Sequence, residues 1–448
     1  TNGFWRVPGA FNDVAHKNGV KTGCTYFIDW GTQLTSTAEP GKTLYDLAKK
    51  ETNSYGDKYK YSRKLIQFLK YYGIDGLCFN PEGDWDYTIY SRFIPFLAEC
   101  HKIAKELNHP FHVDWYAFVD NYGSLTDNGC KLDEENQDWF HDTDTDMPVT
   151  DVFFLNYNWT AQGLAKSVET AKGLGRSSFD VYAGYDMQGR GYGRVGTGGA
   201  NAGWKALMEN PVSIVIWGAH DRNALYISST EGGQSDYAVQ NEYQKKQEML
   251  FSGGNRNVLN LPALNTKDQV LSSFSDLKDW HGYAKAVIER STLDELPFVT
   301  RFNLGNGRFF NKEGKTTWNH KWYNYGMQDL LPTWRWWIDN GDGKTVPADA
   351  IALDFTYDDA WFAGSCLKIH GATKRSDVRL FATKWGVESA NDEFRLVFKP
   401  NSATTGLELM VAKEGGENKF VYVPVKGNIK AKEWNEVVIK ASEAGLSA

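Results

Sequence analysis

Short apolar runs alternate with longer stretches of helical spacing over the first two thirds of the chain. Seven runs read as strands: 22–30, 74–80, 111–118, 151–157, 179–186, 213–219 and 297–303. Each is nearly continuous in apolar and aromatic residues, as parallel strands buried on both faces are. Between them, residues 59–72 place apolar positions on one helical face and stop at Gly73, a C-cap signal. Residues 87–107 repeat that spacing and stop before Asn108-His109-Pro110, while 161–174 and 200–209 follow it more weakly. The rhythm predicts an α/β fold, a (β/α)8 TIM-type barrel. Seven strands are one short of eight. The chain opens directly on a helix-like segment at 12–19, so the missing first strand is expected upstream of Thr1.

After about residue 305 the pattern changes. Short alternating runs appear at 350–356, 366–370, 377–385, 393–399, 406–412, 419–424 and 435–440, separated by Gly, Asn, Asp and Lys. These predict an antiparallel β-sandwich, without a closing strand at its C-terminal end. The expected division is a catalytic barrel over 1–315 and an accessory sandwich over 316–448.

Composition narrows the function. Hydrophobic residues make up 41% and charged residues 23% of 448, a globular balance rather than a disordered one. A net charge of −7 argues against a dedicated nucleic-acid binder. No run of about 18 apolar residues suggests a membrane span. Five cysteines without a CxxC pair make neither a disulfide framework nor a cysteine zinc site. Aromatics are abundant, at 15% with 17 Trp, and the polar ones gather with Asn, Asp and Gly at strand ends. That mixture suits either a Trp-rich core or sugar recognition, in which a flat ring covers the apolar face of a pyranose.

Catalytic groups in such barrels follow the C-terminal ends of strands. The run 74–80 ends Asn80-Pro81-Glu82, and residues two apart share a face of extended chain. Glu82 is placed to protonate a glycosidic oxygen. Asn80 is placed to hold a 2-acetamido N–H while the acetamido oxygen attacks C1, the substrate-assisted exception among glycosidases. The competing reading is that the pair caps the next helix. Other strand ends offer Trp30, the Trp115-Tyr116 pair, Asn156, Tyr157, Trp159, Asp186, Trp217 and Asn303 as a sugar-contacting lining.

At this point the residues resemble a known family. The stretch Tyr72-Gly73-Ile74-Asp75-Gly76-Leu77-Cys78-Phe79-Asn80-Pro81-Glu82 resembles the catalytic motif of glycoside hydrolase family 85, the endo-β-N-acetylglucosaminidases. Ala15-His16-Lys17-Asn18-Gly19-Val20, Phe153-Phe154-Leu155-Asn156-Tyr157, Tyr182-Ala183-Gly184-Tyr185-Asp186, the run 298–307 and the run 328–336 resemble further motifs in the family's order. The resemblance implies retaining cleavage between the two GlcNAc units of N-glycan chitobiose. It implies Glu82 as acid and then base, Asn80 on the acetamido group, and Tyr116 beside it. An oxazolinium or oxazoline intermediate follows, with no metal or organic cofactor. The implied partners are N-glycans or glycoproteins, acted on by a monomer. Departures are Pro81 within the motif, Glu134 and Gln188 where tryptophans are common, and His220-Asp221 in place of Pro-Gly-Trp. They fall mainly on sugar subsites and leave high-mannose, hybrid and complex glycans open.

Two rivals stay in view: a non-catalytic glycan-binding protein, and an ordinary retaining glycosidase using Asp84, Asp86 or Asp186 as nucleophile. The run 191–196 satisfies GxGxxG, but the sequence some 20 residues on is apolar, so no dinucleotide site is expected. Asp142-Thr143-Asp144-Thr145-Asp146 lacks the Gly and closing Glu of an EF-hand. The compartment is open: secreted or cell-surface in a bacterium, or cytoplasmic.

Overall fold

The computed structural model describes residues 8–28, 33–124, 129–190, 200–218, 237–253, 281–287, 293, 295–332, 337–342, 351–371, 376–381, 383–403, 405–416 and 419–446. Trp30, the 191–196 run, His220-Asp221 and Trp334-Arg335-Trp336 lie outside the described residues. By internal contacts the described chain falls into two compact units. One holds residues 8–218, the other 237–253 and 281–446.

The first unit is built on six strands: β1 (Gly23–Ile28), β2 (Gly76–Pro81), β3 (His112–Tyr116), β4 (Val152–Leu155), β5 (Val181–Asp186) and β6 (Ser213–Trp217). They form one sheet in chain order, and every neighbouring pair is parallel. Helices fill four of the five crossovers: α1 (Gly9–Lys17) precedes β1, then come α2 (Glu39–Leu47), α3 (Ser62–Tyr72), α4 (Tyr87–Glu106), α5 (Ala161–Gly173) and α6 (Ala200–Glu209), and the β3–β4 crossover has no α-helix among the described residues. This is an α/β architecture. Gly73 ends α3 in the left-handed conformation at φ 66°, which only a residue without Cβ adopts at little cost. Asp86 begins α4 by accepting the Thr88 N–H.

Register divides the sheet into two faces. One carries Leu77, Phe79, Val113, Trp115, Phe153, Leu155, Val181 and Ala183, all at 0–1% exposure. With Ile66 and Leu69 of α3 and Phe93, Phe96 and Leu97 of α4, these make the core between sheet and helices. Each such large side chain contributes roughly 1.5–3 kcal/mol. The other face carries Thr25 and Phe27, Cys78 and Asn80, Asp114 and Tyr116, Phe154, Tyr182 and Gly184, and Trp217. On this second face Tyr116 and Phe154 are buried while Phe27 and Trp217 are exposed, so the expectation of strands buried on both faces holds fully for the first face and in part for the second.

Residues 297–303 are a correction: they form no strand. Phe302 has φ 57°, outside the extended region. The Asp329 carboxylate accepts the N–H groups of Arg301 and Asn303 at 2.9 and 3.0 Å, and Thr300 Oγ1 donates to Leu330 O. A side chain thus replaces the partner strand. This segment belongs to the second unit.

Most of the predicted C-terminal runs form antiparallel pairs: 352–356 with 366–370, 393–398 with 435–440, and 408–412 with 420–424. The run expected at 377–385 shortens to Asp377–Arg379 and pairs with Trp337–Asp339. Val423, Val425, Ile439 and Ala444 form a buried cluster, packed by Phe394, Leu396, Leu409 and Val411. The last two ladders therefore share one apolar core.

Candidate active site

The face of the sheet opposite the helices gathers the candidate chemistry. Asn80, near the end of β2, pairs with Phe27 of β1. Tyr116, at the end of β3, falls on the same face, because Cys78 pairs with Asp114 two residues earlier on each strand. Asp186 and Trp217 end β5 and β6 opposite each other on that face. Pro81 occupies the last ladder position and points to the helix side, where a missing N–H disturbs little.

The Asn80 side chain is half-buried, yet its Oδ1 is buried and has no hydrogen-bond partner among the described residues. A buried carbonyl left in this state costs about 1–3 kcal/mol, so it calls for a ligand-side explanation. Glu82, partly exposed, follows two residues later in a segment fixed at both ends. Leu34 N–H donates to Asp84 O, Asp86 N–H donates to Leu34 O, and Leu34 bridges Trp85. The α4 cap is Asp86, whose carboxylate accepts from Thr88 N and Oγ1, both at 2.7 Å. The reading in which Asn80 and Glu82 cap that helix therefore fails. The same bonds, the Thr88 hydroxyl first, hold the Asp86 carboxyl below its ordinary value.

An aromatic wall rises beside Asn80. Tyr116 is 5% exposed and lies 4.7 Å from Phe154 and 6.3 Å from Tyr157 by ring centroid, with Phe118 stacked at 5.6 Å. Gly184 makes room for it. A Cβ there would meet Leu155 O at 2.6 Å, Tyr157 Cδ1 at 2.8 Å and Phe154 Cε2 at 2.9 Å. Asn156, just past β4 and 8% exposed, accepts the Tyr157 N–H at 2.6 Å.

Three expected contact residues lie elsewhere. Trp115 faces the helices, fully buried and stacked on Trp139 at 3.9 Å and 10°, with Phe79 and Trp85 around it. Trp159 is 1% exposed and donates Nε1–H to Gly184 O at 2.8 Å. Asn303 is 1% exposed in the second unit and donates to Met327 O at 2.7 Å. All three serve packing, because the side chain points inward from its strand or loop. Conversely, Phe27, 59% exposed beside Asn80, and Gly184 and Phe154 were not predicted as site residues. Phe27 is found only from its ladder position directly opposite Asn80.

Among the described residues no cluster of His, Cys, Asp and Glu is arranged to hold a metal ion. The acidic loop 142–146 is a hairpin turn, with Asp146 beside His141 at 2.9 Å. No described helix is long and apolar enough to cross a membrane.

A sequence model of glycosyl hydrolase family 85 matches residues 7–310. The chain belongs to this family. Similar proteins include cytosolic endo-beta-N-acetylglucosaminidase 2 of Arabidopsis thaliana, 25% identical over 342 residues, 76% of this chain and 40% of that protein. The human cytosolic endo-beta-N-acetylglucosaminidase is 23% identical over 423 residues, 91% of this chain and 47% of that protein. The crystal structure of the glycoside hydrolase domain of Endo-D from Streptococcus pneumoniae R6 matches 97% of this chain and 63% of its own, at TM-score 0.74 and 22% identity. That likeness establishes a shared fold. The chain spans less than half the length of the curated relatives it matches.

Proposed function

We propose that this family 85 chain is an endo-β-N-acetylglucosaminidase that hydrolyses the β-1,4 bond within the N,N'-diacetylchitobiose core of N-glycans. The observation that carries the reading is Asn80 Oδ1, buried and unpartnered on the sheet face it shares with Tyr116. In the proposed reaction Glu82 protonates the glycosidic oxygen as the substrate's acetamido oxygen bonds to C1 and the C1–O bond breaks. Asn80 Oδ1 accepts the acetamido N–H and Tyr116 confines the group, so the attacking oxygen is held against C1. Glu82 then takes a proton from water as the water opens the oxazolinium ring, with net retention. An acceptor hydroxyl in place of water gives transglycosylation. The helix-cap role of Asp86 supports this route over one in which that carboxylate is the nucleophile.

The same proposal sets the six-stranded sheet within a (β/α)8 barrel and the C-terminal ladders within an antiparallel β-sandwich, with a sequence boundary near 315/316. It takes N-glycans or glycoproteins as substrates of a monomer, with Asn156, Tyr157, Asp186 and Trp217 on the sugar. The test is mass spectrometry of a high-mannose glycopeptide after incubation with the protein. A peptide keeping one GlcNAc and a released glycan ending in the other is expected. Intact substrate with tight binding, from folded protein, overturns the proposal in favour of a glycan-binding protein.

A further inference from the structure

One layer beneath Asn80 and Tyr116, on the same face of the same strands, Cys78 pairs with Asp114. Asp114 Oδ1 is buried without a hydrogen-bond partner among the described residues, while its side chain as a whole is 29% exposed. His112 Nε2 is 3.8 Å from Oδ2, too far for a hydrogen bond. The groups that face this carboxyl are Cys78 of β2, Tyr182 of β5, His112 of its own strand, Lys21 ahead of β1 and Asp151 ahead of β4. Burial pushes the Asp114 carboxyl up to about 7; Asp151 adds to the rise and Lys21 opposes it. Burial also pushes the Cys78 thiol up to about 12, raises the Tyr182 phenol, and lowers the His112 imidazole. Among these groups, Asp114 is a carboxyl brought to about 7.

We propose that Asp114 is a supporting residue of the acetamido pocket, a carboxylate under Asn80 and Tyr116 that favours the cationic, ring-closed form of the substrate. This rests on the substrate-assisted reading above. As the acetamido oxygen bonds to C1 and the leaving oxygen takes the Glu82 proton, the new ring keeps its N–H and carries the positive charge. Two residues along the strand and one strand across place Asp114 roughly 8 Å from the Asn80 position. At that spacing an interior charge acts by more than about tenfold, and solvent at a partly exposed side chain reduces this to about fivefold. Asp114 touches neither the substrate nor Glu82 in this scheme and acts through the field at the pocket.

The experiment compares kcat/KM for glycopeptide cleavage by wild type, Asp114→Asn and Lys21→Met on both sides of pH 7. The ratio of wild type to Asp114→Asn is expected to rise about fivefold as pH increases through about 7. Lys21 is exposed, so its replacement leaves the fold intact. Loss of this cation moves the wild-type rise to higher pH, because the cation favours the ionised carboxyl. A ratio that is constant with pH overturns the inference. Should Asp114→Asn not fold, an unmoved profile in Lys21→Met overturns it equally. Absence of cleavage by wild type overturns the functional reading itself, and the role of Asp114 with it.

Discussion

His16 Nε2 lies 2.7 Å from an Asp75 carboxylate oxygen, and that oxygen also accepts the buried Thr22 N–H at 2.7 Å. One side chain thus ties α1 and the start of β1 to the start of β2. Asp75→Ala leaves the Thr22 N–H, 2% exposed as a residue, without its acceptor. A loss of about 1–3 kcal/mol in unfolding free energy is expected, read by denaturant melts. Turnover per folded molecule should be unchanged.

The proposed reacting pair behaves oppositely. Glu82→Gln keeps the shape but removes the proton, so hydrolysis should fall by about 10²–10⁴ with little change in melting temperature. Asn80→Ala removes a buried acceptor that no described protein group satisfies. Stability should hold or rise slightly while kcat falls. Full turnover in either variant refutes the assignment.

Adjacent residues of β3 should separate stability from chemistry. Trp115→Ala empties a site stacked on Trp139 and should cost about 3–5 kcal/mol, seen in chemical denaturation. Tyr116→Phe keeps the ring packed on Phe154 and should lower kcat with a small effect on unfolding. Equal stability losses in both would contradict the division of faces.

Gly184→Ala adds a methyl group within 3 Å of Leu155 O and of the Tyr157 and Phe154 rings. The backbone oxygen cannot rotate away. A destabilisation of about 1–3 kcal/mol is expected, together with a raised KM for glycopeptide as the wall moves.

The α4 cap predicts an acid-sensitive element. The folded Asp86 carboxyl sits below its ordinary value, so its contribution is present above the unfolded pKa and is lost as pH falls through the folded one. Asp86→Asn retains a cap acceptor and should flatten that part of the stability–pH curve between about pH 5 and pH 2. Melting temperatures across that range check it. An unchanged slope would mean that other carboxylates dominate.

Local pattern revealed the strands whose apolar runs meet a parallel partner, and the two-residue spacing put Asn80 and Glu82 forward as a pair. It failed where a long-range partner decides. The run 297–303 looks like a strand, yet a carboxylate about 26–28 residues further on holds it. Aromatics at strand ends read as pocket lining, but sequence does not say which face a strand end presents. Pattern alone therefore reads Trp115 and Tyr116, neighbours in the chain, alike as lining; the family resemblance is what sets Tyr116 apart. Phe27 and Asp114 carry no local signal. They become visible only once the ladder aligns them with Asn80 and Cys78.

The alternation along β3 also bears on how such a chain can diversify. Positions 113 and 115 are committed to packing against helices, while 112, 114 and 116 face the other way. Substitutions in the second set act on the pocket face and leave the helix-side core alone. A single-residue deletion in the strand would exchange the two sets and forfeit both. New specificities in this scaffold should therefore arise by substitution within β3, and length changes should be confined to the loops beyond it.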